Sequence, residues 1–216
     1  MKINNLLVLI LIASGLFVGC SKKDLTPIYS LNKSEASLAH NTTVQLKVDG
    51  ATAETFTYTS GNSLIAIVDN FGLITGRRIG ITYIKVSGNN FTDSCKVTVI
   101  PLYNIFKEPL TTFGIGKNEV KALEARTLLN ESDNQLQYKG STYERLVVYT
   151  FTNTKLASSL VVIPSSYSND LGNFLAERYV MLQISPWIGA QIDQKYAVGA
   201  QLQSNLEWVV LYFPYQ

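Results

Sequence analysis

From Thr43 to Val99 the chain is a succession of short segments in which apolar and polar residues alternate, each cut off by a turn signal. Thr43-Val44-Gln45-Leu46-Lys47-Val48 is the clearest, and Phe56-Thr57-Tyr58-Thr59, Ile65–Val68, Leu73–Gly76, Thr82–Val86 and Cys95–Val99 follow. A period of two puts one set of side chains in a core and the other in water, which a strand satisfies and a helix does not. Asp69-Asn70-Phe71-Gly72 and Gly88-Asn89-Asn90 are turn clusters, and Gly72 suits a positive φ. Evenly spaced short strands without helical periodicity predict an antiparallel sandwich over residues 27–101.

The same stretch carries a family resemblance. Tyr58-Thr59-Ser60-Gly61-Asn62-Ser63-Leu64-Ile65-Ala66-Ile67-Val68-Asp69-Asn70-Phe71-Gly72-Leu73-Ile74-Thr75-Gly76, followed by Gly80-Ile81-Thr82-Tyr83-Ile84-Lys85-Val86, resembles the bacterial immunoglobulin-like domain of group 2. Tyr58 stands where that family usually has Trp, Ile65 and Ile67 where it has Val, and Ile81 where it has Thr. These exchanges keep shape or burial. The resemblance implies an all-β immunoglobulin-like sandwich acting as a spacer or adhesion module, with Tyr58 in the core. Cys95 reads as a small buried hydrophobe, and His40 as a solvent-exposed loop residue.

The N-terminus is an address. Lys2 precedes an apolar run from Leu6 to Val18, too short for a spanning helix of about 20 residues and of the length of a signal-peptide core. Phe17-Val18-Gly19-Cys20 resembles a lipobox, with Ser21-Lys22-Lys23-Asp24 after it. The resemblance implies that residues 1–19 are a lipoprotein signal peptide, that Cys20 is lipidated, and that residues 20–26 are a linker at a membrane. Ser21, in place of Asp, implies the outer membrane or cell surface. With Cys20 acylated only Cys95 remains, so no intramolecular disulfide and no cysteine metal set is expected.

Residues 104–216 read differently. Lys117–Leu129 has apolar residues at helical spacing (Val120, Leu123, Thr127, Leu128), with Gly116 as N-cap, Glu119 in capping-box position and Asn130 as the stop. Strands are predicted at Gln135–Lys139, Glu144–Phe151 and Leu156–Ile163, the last two joined by the turn Thr152-Asn153-Thr154-Lys155. A second helix, Asp170–Tyr179, is capped by Ser168 or Asn169. Strands at Tyr179–Ile184, Ile188–Ile192, Tyr196–Leu202 and Leu206–Phe213 close the chain. This is an α+β domain, one antiparallel sheet with two helices on one face, compatible with tandem αβββ units. Such layouts resemble those of small periplasmic and secreted inhibitor or assembly proteins.

The residues offer little for catalysis. One histidine, His40, makes a serine triad or a histidine metal cluster improbable. Gly114-Ile115-Gly116-Lys117 lacks the spacing of a phosphate loop. Glu119, Glu124, Glu131 and Asp133 spread over a solvated helix face, and nothing singles out Asp170, Glu177 or Asp193. A net charge of +2 gives no basic stripe for nucleic acid. Aromatic residues are the better lead, because rigid rings give contact area at small entropic cost. Trp187, Tyr196 and Tyr215 are the candidate contact residues, with core packing as the alternative for Trp187 and, more so, for Trp208.

The resulting expectation is a membrane-anchored lipoprotein, non-catalytic and without cofactor or metal. Its immunoglobulin-like spacer presents the C-terminal domain to a protein or glycan. The alternatives are a carbohydrate- or peptidoglycan-active accessory enzyme, and an inhibitor or assembly factor working through the open face of the C-terminal sheet.

Overall fold

The computed structural model describes residues 28–52 and 54–215. The segments read as signal peptide and linker, and Cys20 with them, therefore lie outside the described residues. The described residues are mostly β, with nine strands before residue 100 and eight after it, and two α-helices.

In the N-terminal part, β1 (Ser30–Leu31) pairs β4 (Val48–Asp49). One sheet has the order β2 (Glu35–Leu38), β9 (Phe91–Val99), β8 (Gly80–Gly88), β5 (Thr57–Ser60). The facing sheet has the order β3 (Thr43–Gln45), β7 (Leu73–Gly76), β6 (Ala66–Val68). Leu46, Ile74, Ile84, Val86, Cys95 and Val97 are fully buried between the sheets. Gly72 is a position only glycine fills well: its φ is +81°, and a Cβ would lie 2.3 Å from the Leu46 carbonyl and 2.9 Å from the half-buried Tyr58 ring. His40 departs from expectation. It is half-buried, and its Nδ1–H donates to the Arg77 carbonyl.

The C-terminal part is one eight-stranded antiparallel sheet. After α1 (Lys117–Leu123) come β10 (Leu128–Glu131), β11 (Gln135–Lys139), β12 (Leu146–Thr152) and β13 (Lys155–Pro164). After α2 (Ser168–Ala176) come β14 (Val180–Gln183), β15 (Trp187–Ala190), β16 (Tyr196–Leu202) and β17 (Glu207–Pro214). The sheet order is β10-β11-β12-β13-β17-β16-β15-β14, so two units meet through their last strands. Each unit carries one helix and four strands, one strand more than the αβββ expectation. In the first unit the extra strand comes from the sequence assigned to a long helix. The helix stops at Leu123 because the Glu124 side chain turns back on Arg126, accepting its backbone N–H at 2.9 Å and its guanidinium at 2.9 Å. Leu128 then pairs with Tyr138.

The expected caps are partly met. The Gly116 N–H donates to Glu119 at 2.8 Å. Helix α2 begins at Ser168 itself, after a 3-10 turn at Ser165–Tyr167, so neither Ser168 nor Asn169 is its N-cap. The turn between β12 and β13 has Asn153 and Thr154 at φ of 50° and 66°, the twist that tight hairpins favour.

Both helices pack on one face. Val120, Leu171, Phe174 and Leu175 join Leu136, Tyr149, Val161, Val210 and Tyr212 in one core, with Ile105 and Phe106 from the segment entering the domain. A buried carboxylate ties the two parts together. Glu177, just past α2, is fully buried; its carbonyl accepts the Ile79 N–H at 2.8 Å. Its carboxylate accepts the Leu102 and Tyr103 N–H groups at 2.9 and 3.1 Å and pairs with Arg178. Arg78 adds a bond from Nε to the Tyr179 carbonyl at 2.8 Å. Removing one partner of a buried charge pair costs about 3–5 kcal/mol. Glu177→Ala should therefore lower unfolding stability by about 3 kcal/mol and separate the melting of the two parts. Chemical denaturation followed by probes in each part reads both effects.

Candidate functional site

The sheet's two faces differ in what covers them. An antiparallel sheet with one side in water normally alternates apolar and polar residues. Here β12, β13 and β17 are apolar on both sides. One set of positions (147, 149, 161, 163, 210, 212) enters the core under the helices. The intervening set points the other way, and the register aligns it into continuous rows. One row runs Val148, Leu160, Leu211, Gly199, Ile188, and another Leu146, Val162, Val209. Phe213 and Ala197 are paired beside them. Apart from Val148 and Ala197, which are buried, these residues are half-buried, and none of them belongs to either core. Polar residues fringe the patch: Gln137 and Lys139 at one side, Gln201 at the other, and a Glu207–Arg145 ion pair at 2.9 Å.

On the helix side, Trp187 and Trp208 flank two adjoining hollows of about 200 and 370 Å³, closed by Leu171, Leu175, Ile184 and Ala200. Trp187 is half-buried. Its ring lies back over Gly189, where a Cβ would come within 2.5 Å of it, and meets Tyr179 edge-on at 6.4 Å. Trp208 donates its indole N–H to Ser168 Oγ at 2.8 Å. Exposed Met181 and Leu182 lie on β14, Leu202 ends β16, and exposed Ile184 and Leu206 lie in the connections around this end of the sheet.

A third concavity, about 420 Å³, opens where the two parts meet and takes in Ile65, Ile79, Pro101, Glu108, Arg178 and Tyr196. The Tyr179 hydroxyl donates to Glu108, and the Tyr212 hydroxyl lies 3.5 Å from the same oxygen. Arg178 Nε is 4.0 Å from Glu108 Oε2, and the guanidinium stacks 3.7 Å over the Phe174 ring. Burial pushes the Glu108 carboxyl above the usual carboxylate range, against the opposing pull of the Tyr179 hydroxyl and Arg178. Burial, with Tyr212 and Glu108 beside it, likewise keeps the Tyr179 phenol protonated far above the usual tyrosine range.

The structure thus separates the three contact candidates. Trp187 lines the tryptophan hollows, Tyr196 the junction cleft, and Tyr215, 39% exposed, lies past the end of β17 in neither. Glu108 and Glu177 were not anticipated. Single carboxylates carry no sequence signal when the groups that answer them are some seventy positions away, Tyr179 for Glu108 and the Leu102 and Tyr103 N–H groups for Glu177. Glu124 also departs from the solvated-face reading. It is 9% exposed, paired with Arg126, and accepts the Tyr149 hydroxyl. The open face did have a signal. Leu-Val-Val-Tyr in β12 and Val-Val-Leu-Tyr-Phe in β17 are uninterrupted apolar runs where a half-solvated strand would alternate.

Comparison with known proteins identifies the first part. Residues 26–99 match the family model of the bacterial Ig-like domain (group 2), so the chain carries such a domain there. None of the curated proteins matches the chain. Among solved structures, domains 5-6 of the S-layer protein SbsC align with 87% of this chain and 85% of that one, at 15% identity and a TM-score of 0.28. Domains 4-9 of the surface layer protein SbsC align with 89% of this chain and 27% of that one, at 13% identity and a TM-score of 0.30. The Bacteroides ovatus mixed-linkage glucan utilization locus SGBP-B, in complex with a mixed-linkage heptasaccharide, aligns with 89% of this chain and 60% of that one, at 12% identity and a TM-score of 0.27.

A raised carboxyl has a pH consequence. A group whose folded pKa lies above its unfolded value contributes stability that is full below the unfolded pKa and lost as pH rises through the folded one. Glu108 therefore favours the fold in acid and opposes it at neutral pH. Glu108→Gln should raise the melting temperature at pH 7, by roughly 2–4 °C per kcal/mol relieved. It should also flatten the profile above the usual carboxylate pKa, read by thermal melts across pH 4–8.

Proposed function

We propose that the chain is a non-catalytic binding module of the cell surface, held at the outer membrane by a lipid on Cys20. The immunoglobulin-like domain acts as spacer, and the open face of the C-terminal sheet holds a protein partner. The observation that carries the reading is the pair of apolar rows through Leu160, Leu211, Val162 and Val209, on a face that neither core occupies. Apolar area left in water costs about 25 cal/mol per Å². A contiguous patch rimmed by polar residues is what a docking surface requires and what an inert surface lacks. Multiple acylation of Cys20 would anchor firmly, where one chain binds only marginally.

Two measurements test this. The Leu160→Lys/Leu211→Lys variant should stay folded, because neither side chain belongs to the core. It should capture at least tenfold less partner after cross-linking on intact cells, about 1.4 kcal/mol. Undiminished capture would sink the docking face. The Cys20→Ser variant should lose metabolic labelling by palmitate and move from the detergent phase to the aqueous phase on partitioning. Retained labelling would show that Cys20 is not the lipid site.

A further inference from the structure

The cleft between the immunoglobulin-like domain and the sheet domain draws its walls from both. Ile65 and Ile79 come from the first, Pro101 from the connection, and Glu108, Arg178 and Tyr196 from the second. At about 420 Å³ it falls within the range of roughly 300–1,000 Å³ that small-molecule sites occupy. We propose that this cleft binds a neutral, hydroxyl-rich ligand: a unit of a saccharide.

The charges argue for neutrality. Arg178 is already paired with Glu177 and faces Glu108 at 4.0 Å, and Asp193 is paired with Lys195 at 2.6 Å. An ion entering the cleft would shed its hydration without meeting an unanswered opposite charge, which is costly. Hydroxyl groups avoid this cost because each both donates and accepts. The carboxylates of Glu108 and Asp193 take donors, and the Tyr196 hydroxyl and the Arg178 guanidinium supply them. The wall also holds an unmet acceptor. Gln191 Oε1 is buried without a hydrogen-bond partner, and turning its amide toward the cleft would give it a ligand hydroxyl. Ile65, Ile79 and Pro101 provide apolar surface for the C–H face of a sugar ring, with the Tyr196 ring beside them. Because the walls come from two domains, a bound sugar would bridge them.

The inference is independent of the docking face, and its test keeps the two apart. The full chain is titrated calorimetrically with cellohexaose, laminarihexaose, maltohexaose and chitohexaose. At least one should bind with a Kd of about 1 mM or tighter. Tyr196→Phe, which removes only the hydroxyl, and Asp193→Ala should each weaken that binding by about tenfold. Ile79→Trp, which fills the cleft from the immunoglobulin-like side, should abolish it, with thermal melts confirming that all three variants fold. Leu160→Lys/Leu211→Lys should leave it unchanged. Absence of binding to all four sugars up to about 10 mM, or an affinity unmoved by Tyr196→Phe and Asp193→Ala, would overturn the proposal.

Discussion

The structure turns on the carboxylate of Glu177. One side chain with no exposed surface receives two backbone N–H groups of the connecting segment and the guanidinium of the next residue, while its own carbonyl receives Ile79. Hydrogen bonds to a charged group each contribute about 1.5–3 kcal/mol, where a neutral one contributes nearer 1. Inter-domain contacts within a chain ordinarily leave the domains free to move. Here the connection between Val99 and Ile105 is bonded at Leu102 and Tyr103 to the end of α2, which is itself fixed by Phe174 and Leu175 in the core. The exit of the first sandwich and the helix layer of the second domain thus become one joint. The cleft holding Glu108 and Tyr196 exists because this joint holds its two walls in place.

The sheet domain meets a different constraint. A single sheet has two faces, and two short helices together with the entering segment cover only one. The covered face holds the large aromatic residues, Tyr149, Tyr179 and Tyr212, whose hydroxyls are answered by Glu124 or Glu108. The other face holds aliphatic side chains and Phe213 with no second layer. An exposed sheet face that serves only the fold is better made of threonine, lysine and glutamine, as on β9, where Thr92, Ser94, Lys96 and Thr98 alternate with Cys95, Val97 and Val99. On neighbouring β8 that face does carry Ile81 and Tyr83, each 55% exposed, but they sit opposite Thr98 and Lys96, whereas the apolar row of the C-terminal sheet runs unbroken from Val148 through Leu160 and Leu211 to Gly199 and Ile188.

Much of this was legible in the residues, for reasons that can be named. The first domain is carried by local signals: alternation of period two, glycines at turns, and a motif contiguous from Tyr58 to Gly76. Strands β11 and β16 were readable to their boundaries because their apolar positions and flanking turns agree. The long first helix was misread because Val120, Leu123, Thr127 and Leu128 share a helical stripe. The Glu124–Arg126–Glu144 ion cluster and the pairing of Leu128 with Tyr138 override that local preference. The sites were less legible. Trp187 could be flagged by its Pro and Gly neighbours, but its place over Gly189 and beside Trp208 depends on β16 and β17. Glu108 and Glu177 acquire meaning only through tertiary contacts.

The open apolar face and the junction cleft are built back to back on the same two strands. In β16, Tyr196 lines the cleft while Ala197 belongs to the opposite face; in β17, Tyr212 reaches Glu108 while Leu211 and Phe213 face away. One layer of backbone separates them. Proximity alone does not couple two sites, since coupling requires an element with two arrangements that both ligands bias. The strands here are held on both sides, β17 between β13 and β16, and their inner side chains are fully buried at Val210, Tyr212 and Val198. Such packing is not continuously deformable. The immunoglobulin-like wall of the cleft is held too, Ile65 by its own core and Ile79 by its N–H bond to the Glu177 carbonyl, and neither residue belongs to the rows of the open face. A ligand in the cleft would therefore bear on the joint at Glu177, where the two walls are bonded, while any partner of the open face would meet only that face's own rows of side chains.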